Sequence, residues 1–440
     1  MIKNQVNSRR LANVLEDIDP LHRKGRVVEA YGTSIKVSGI NASIGQQCLI
    51  SDKNNSHEIF ADVVGISGEN AILLPLGNIH GIAQNSEVEV IKEKSTIRYS
   101  SELIGRILDG MGRPLDNKEL PVSSREIPIY RDSPSPMTRK PINKPVTTGI
   151  KTIDSTLTLG IGQRTGIFAP AGGGKSTLLS MIARHTETDV IVIALIGERG
   201  REVREFVEYT LTEEGLARSV LIISTSDRPA MERLRAAYTA TAIAEGFRSE
   251  GKNVLLLMDS VTRFARALRE IGLSIGEAPV RRGFPSSVFA ELPKLFERSG
   301  NDDTGTMTAF YTVLIEDEET NDPIAEEVRS LLDGHIILSR KLAQENHYPA
   351  IDILSSTSRL INHVTDIDHR ACISKLRILL SKYSEIEFLI QVGEYEEGSD
   401  NLADEAISKI SNIKRFLKQD ISEYYPMDDV INQLKNIIID

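Results

Sequence analysis

The 440-residue sequence contains no tryptophan and only two cysteines, and its aromatic residues make up just 5%. Cys48 and Cys372 lie far apart and outside any metal-ligand spacing. That excludes a disulfide framework and a cysteine-built zinc site, and it fits a reducing cytosol. No run of about 18 apolar residues occurs, so no membrane-spanning helix is expected. The first residues lack the pattern of a signal peptide, and the expectation is a cytoplasmic chain. Positive charge is also in deficit. A net charge of −10 disfavours a protein that wraps nucleic acid nonspecifically. No internal repeat of fixed period stands out. What is present, 40% apolar and 26% charged residues, is the composition of a globular protein long enough for about three domains.

One stretch organises the rest. Residues 166–180 read GIFAPAGGGKSTLLS. A β-branched and aromatic run at 165–168 leads through Ala169 and Pro170 into Ala171, Gly172, Gly173, Gly174, Lys175, Ser176 and Thr177, after which Leu178 and Leu179 open an apolar periodic segment. That order predicts strand, glycine loop, helix. Three glycines without Cβ let backbone amides turn inward towards a polyphosphate, and the helix that follows adds the positive end of its dipole. Lys175 supplies a full positive charge to the terminal phosphates, and the Ser176 hydroxyl is placed to hold Mg2+. The usual pattern has glycine where this chain has Ala169, a small residue that leaves the remainder intact.

In chain order, residues 1–24 carry Val6, Leu11, Val14, Leu15 and Ile18 among Arg9, Arg10, Glu16 and Asp17, an approximate helical face suited to docking a partner or to terminal packing. From 25 to 94 short alternating runs broken by glycine predict a small antiparallel barrel or sandwich. Having chiefly Tyr31 and Phe60, it lacks the aromatic and basic surface of an oligonucleotide-binding barrel. A proline-rich connector at 121–145 predicts extended, wrapped backbone. From 148 to 359, continuous apolar runs at 190–196, 220–224, 254–258 and 308–315 predict a parallel sheet covered on both faces. Beyond about 362 the pattern is helical.

Ligands of such sheets sit beyond the carboxyl ends of the strands. The run 190–196 is followed by Gly197, Glu198 and Arg199. Glu198 is the candidate for orienting and polarising an attacking water, and Arg199 for balancing phosphate charge. Arg201 and Arg204 are equally read as surface ion pairs. The run 254–258 ends in Asp259, whose place after five apolar residues, about eighty residues beyond the glycine loop, marks the magnesium-side acid. Arg263 faces the phosphates or pairs with Asp259 one turn back. Tyr348 is a candidate to stack on adenine or a core tyrosine. Arg359 is a finger reaching across a subunit boundary or a structural ion pair.

The strings LIGERGREV (195–203), LLLMDSVTRFARALRE (255–270), FPSSVFAELPKLFERSG (284–300), AEEVRSLLDGHIILSR (325–340) and PAIDILSSTSR (349–359) resemble rotary ATP synthase catalytic subunits, and most of all the hexameric ATPases of type III protein secretion. The last string is similar to the alpha/beta ATPase signature, with Pro349, Ala350, Ile351, Asp352, Ser356 and Ser358 in register. The resemblance spans roughly 25–440. With the docking segment read at 1–24, the fold expected is multidomain: an N-terminal small β-barrel (25–94), a central RecA-like α/β P-loop ATPase domain (95–361) and a C-terminal helical domain (362–440). The resemblance further implies ATP and Mg2+ as ligands, with Lys175 and Ser176 on phosphate and metal, Glu198 as catalytic base, Asp259 on the magnesium side and Arg359 as the finger. The implied partners are five further copies in a homohexamer, a central stalk, a stator at the N terminus, export chaperones with their substrates, and the membrane export gate; nucleic acid is not among them. The implied location is cytoplasmic, peripheral to the inner membrane. GKNVLLLMDS and NHYPAID resemble the injectisome type more than the flagellar one. The alternatives are weaker. A synthase catalytic subunit lacks its acidic lever sequence here, an RNA-translocating hexamer conflicts with the charge, and a noncatalytic subunit conflicts with Lys175 and Glu198.

Overall fold

In the first unit, side chains alternate between inside and outside along short runs, which is the pattern that closes small barrels. In the strand Ser34–Ser38, Ile35 and Val37 are buried while the serines and Lys36 between them are not. The computed structural model describes residues 24–31, 33–51, 58–92, 94–315 and 322–439. Apart from Lys24, the amphipathic segment read at 1–24 lies outside the described residues. The chain divides into two units, Met1–Ser95 and Thr96–Asp440.

The first unit contains strands β1 (Gly25–Tyr31), β2 (Ser34–Ser38), β3 (Gln47–Ser51), β4 (Glu58–Ser67), β5 (Asn70–Pro75) and β6 (Glu87–Lys92), closed into an antiparallel barrel in the order β1-β2-β5-β4-β3-β6. Its interior is filled by Val27, Ile35, Val37, Cys48, Ile50 and Val63 among others, each valine and isoleucine contributing about 1.5–3 kcal/mol when fully buried. Burial, helped by Asp62, pushes the Cys48 thiol up to about 12. It stays protonated and unreactive.

The second unit opens with β7 (Thr96–Tyr99), β8 (Ile107–Asp109) and β9 (Arg125–Pro128); β7 and β9 pair with each other, and β8 joins the main sheet as an edge strand. That sheet is completed by β10 (Arg164–Pro170), β11 (Val190–Glu198), β12 (Ser219–Thr225), β13 (Asn253–Asp259), β16 (Thr306–Ile315), β17 (Gly334–Leu338) and β18 (Ile351–Ser358), with the small hairpin β14 (Pro279–Arg281) and β15 (Phe284–Pro285) set apart. The order is β18-β17-β10-β16-β13-β11-β12-β8, parallel throughout except that β18 runs antiparallel to β17. Every residue of β11 is buried. An interior strand covered on both faces has no polar side to show, so continuous apolar runs became parallel strands.

Helix Ala230–Ser249 is buried along nearly its whole length. Its Glu245 takes two bonds, at 2.8 and 2.7 Å, from the buried guanidinium of Arg298, which also donates to the Ile129 carbonyl at 2.7 Å. The proline-rich connector is thereby fastened to the core. Three helices, Ile367–Val392, Asn401–Leu417 and Met427–Ile439, end the chain around Cys372, Leu376, Leu379, Ala406, Ile413 and Leu434. The first is started by Asp366, which accepts from the His369 amide, and stopped by Gly393 in the left-handed region. No helix among the described residues is long and apolar enough to cross a membrane.

Candidate active site

β10 runs out into the glycine loop, and the helix Lys175–His185 begins directly after it. Gly174 sits at the helix cap with φ +83°, and a Cβ there would come within 3.2 Å of Tyr348 Cε1. Glycine alone meets both demands. No side chain caps this helix, so its first amides are open to an anion.

The strand ends bring the acids to the same place. β11 stops at Glu198 and β13 at Asp259, and the parallel register sets Asp259 beside Leu195. Between the two carboxylates stands Lys175, whose Nζ donates to Asp259 Oδ1 at 2.6 Å and to Glu198 Oε1 at 3.3 Å. Burial opposes the lysine charge, but Asp259 and Glu198 outweigh it and hold the ammonium above its ordinary pKa. Lys175 is therefore cationic. For Glu198, burial pushes the carboxyl above its usual value, Lys175 pulls it back and Asp259 pushes it further. A carboxylate raised in this way is a better proton acceptor at neutral pH.

These groups border a cavity of about 590 Å³ whose walls include the loop from Pro170 to Thr177, Glu198, Arg199, Asp259 and Arg263. Arg199 is exposed and pairs with Glu202 at 3.1 Å. Arg201 and Arg204 form surface pairs with Glu205 and Glu208 at 3.4 and 2.7 Å. Arg263 donates from its guanidinium to the Gly197 carbonyl at 2.8 Å, and its buried Nε has no partner. It therefore braces the strand end carrying Glu198 while lining the cavity.

Two candidates lie elsewhere. Tyr348 packs on Gly174 of the loop, but the cavity wall does not include it. Arg359 is exposed, donates to the Arg329 carbonyl at 3.1 Å, and makes no ion pair with any described residue. Thr312 was passed over. Its hydroxyl donates to Asp259 Oδ1 at 2.7 Å, and the only sequence signal was a threonine inside the apolar run 308–315.

The donor set suits magnesium. Among the described residues, no group of three or more acidic, histidine or cysteine side chains forms a metal cage. The Ser176 hydroxyl, at the first turn of its helix, makes no hydrogen bond to a described residue. One hydroxyl and one nearby carboxylate leave the other positions to water and phosphate oxygens, which is how proteins hold this small, strongly hydrated ion.

A phosphate loop on a parallel sheet, with lysine, glutamate and aspartate converging at one cavity, defines a nucleoside triphosphatase of the phosphate-loop class. Comparison with known proteins narrows this. The nucleotide-binding domain of the ATP synthase alpha/beta family matches residues 149–358, its beta-barrel domain 27–90, and the T3SS EscN ATPase C-terminal domain 365–436. A type 3 secretion system ATPase of Xanthomonas euvesicatoria is 50% identical over 418 residues, 95% of either chain. A flagellum-specific ATP synthase of Bacillus subtilis is 46% identical over 97% of this chain and 98% of its own. The assembled ATPase EscN of the enteropathogenic E. coli type III secretion system superposes with TM-score 0.90 at 45% identity, over 94% of this chain and 100% of that one. EscN in complex with its central stalk EscO gives 0.87 at 44%, with the same coverage. The chain belongs to the type III secretion system ATPase family, which its flagellar relatives share, and it is an ATPase.

Proposed function

We propose that this chain hydrolyses magnesium-bound ATP at the cavity beside Lys175, in a ring of six copies, and that the cycle releases chaperones from export substrates, unfolds those substrates and energises their export. The observation that carries the reading is one ammonium held between two buried carboxylates at the mouth of a phosphate loop. Magnesium supplies charge neutralisation on the phosphates when bound, with Ser176 and Asp259 as its protein side. Loop amides and Lys175 hold the phosphate chain. Once Lys175 turns to the phosphates, Glu198 is freed to orient a water and take its proton as the terminal phosphoryl group leaves ADP. Arg199 and Arg263 offset the charge that develops there.

The injectisome is the preferred setting, supported by the 50% identity to the Xanthomonas protein and by the NHYPAID and GKNVLLLMDS strings. The flagellar reading stands second on the Bacillus relative at 46%. EscN's stalk suggests a stalk protein here also; the stator and the export gate complete the proposed setting at the membrane, with the chain on its cytoplasmic side. The test has two arms. Purified chain with Mg-ATP should dissociate a chaperone–substrate complex, while Glu198→Gln should bind ATP and leave the complex intact. Affinity capture from the native cell should return injectisome stalk and stator proteins. Hydrolysis without dissociation would remove the proposed work, and flagellar partners would reassign the subtype.

A further inference from the structure

The magnesium-side carboxylate is held from two directions, and only one of them is part of the phosphate machinery. Asp259 Oδ1 accepts from Lys175 Nζ at 2.6 Å and from Thr312 Oγ1 at 2.7 Å. Thr312 is fully buried on β16, the strand beside β13, and the register Met258 with Tyr311 sets Thr312 next to Asp259. A threonine hydroxyl has a single proton. Its other acceptor within reach, the Met258 carbonyl, is at 3.4 Å, so the proton goes to the carboxylate. The end of β16 is itself fixed, because the Leu314 amide donates to Thr262 Oγ1 at 2.8 Å, and Thr262 belongs to the helix Val261–Ser274 that follows Asp259.

Packing does not ask for a hydroxyl here. Thr312 lies between Tyr311 and Val313 in a strand whose interior is almost wholly buried, and valine has nearly the same shape. Burying a hydroxyl is unfavourable unless it is bonded, and its one short bond is to Asp259.

We infer that Thr312 is a positioning residue for magnesium: it keeps the Asp259 carboxylate oriented after Lys175 has left it for the phosphates, so that the remaining oxygen meets the ion's water shell. This rests on the proposed Mg-ATP reading of the site. In that cycle Lys175 alternates between Asp259 and substrate, whereas Thr312 makes no other strong bond and stays. A hydrogen bond to an ionised group is the stronger kind, and losing one that fixes a ligand should be felt chiefly when the ion is present.

The experiment measures ADP affinity by calorimetry in EDTA and in excess Mg2+ for the full chain, Thr312→Val and Thr312→Ser. The unaltered protein should bind ADP more tightly with magnesium. Thr312→Val should lose about 10-fold of that gain while its EDTA affinity stays the same, and Thr312→Ser, which keeps the hydroxyl and drops the methyl, should restore it. Equal weakening of Thr312→Val in both conditions, or no weakening in either, would overturn the inference. So would a Thr312→Ser protein that lacks the magnesium gain; where the valine variant does not fold, Thr312→Ala, which also removes the hydroxyl, takes its place and should lose the same gain. No magnesium gain in the unaltered protein would instead remove the Mg-ATP reading beneath it.

Discussion

At the scale of single residues, the site is a problem in charge. Two buried carboxylates share one ammonium, so each substitution changes the balance for those that remain. Lys175→Ala leaves Glu198 and Asp259 without their cation and the phosphate loop without its charge. ATP binding followed by a fluorescent nucleotide should weaken, and phosphate release should fall by about 10²–10³-fold or more. Glu198→Gln should keep nucleotide binding and lose about 10²–10⁴-fold in turnover; turnover near that of the unaltered chain would remove Glu198 from its role. The same variant carries a stability signature. Because burial raises the Glu198 carboxyl above its unfolded value, the native chain holds that proton more tightly, and the associated stability fades as pH rises through the folded pKa. Above that range a buried charge is a standing cost, which glutamine removes. Thermal unfolding should therefore show Glu198→Gln a few degrees more stable than the parent near pH 8, with the difference shrinking as pH falls towards 4.5, the ordinary carboxyl value. Lys175 was legible because it closes a glycine loop between a strand-like run and a helix, and Glu198 and Asp259 because they stand at the ends of apolar runs, where a parallel sheet puts its ligands. Thr312 was not legible, since a hydroxyl inside a strand looks the same in sequence whether it meets a carboxylate or a backbone carbonyl. The bond of Arg263 to the Gly197 carbonyl was hidden for a similar reason: it joins two elements distant in the chain.

At the scale of elements, strand ends and helix starts do the positioning. Strands β10, β11, β12, β13 and β16 could be read from their apolar runs, and the six barrel strands from alternation and glycine punctuation. β8 could not, because three residues carry no period. β18 could not either: Leu354, Ser355 and Thr357 are exposed, so the strand has neither a continuous apolar run nor strict alternation. The most exacting local geometry is the end of β11. Gly197 has φ +68°, and a Cβ there would meet Arg263 Cβ at 3.1 Å. Gly197→Ala thus combines a left-handed backbone penalty of about 1–2 kcal/mol with a push on the arginine that braces Glu198. The expected result is a lower melting temperature and a reduced kcat, with ATP affinity little changed because the phosphate loop is untouched. Steady-state kinetics beside thermal unfolding checks this, and an unchanged kcat would show that the bend before Glu198 has no bearing on chemistry.

At the scale of the whole molecule, Arg359 is what a single chain leaves unexplained. It follows β18 on the outer edge of the sheet, two strands away from β10 and its phosphate loop. Its guanidinium is exposed, bonds backbone carbonyls and finds no carboxylate among the described residues. A local ion pair does not account for it; in the proposed ring of six copies it would reach the site of a neighbouring copy. Arg359→Ala should then lower turnover by about 10³-fold or more, as loss of an arginine finger does, while the isolated chain binds ATP as before. Mixed rings discriminate further. A junction between an Arg359→Ala subunit, which has Lys175, and a Lys175→Ala subunit, which has Arg359, can carry one complete site. Random mixing at equal amounts makes roughly one junction in four complete. Activity should therefore reappear on mixing two nearly inactive proteins and follow the product of their fractions. If mixing restores nothing although the subunits co-assemble, both residues serve the same chain's site, and the arginine acts from within.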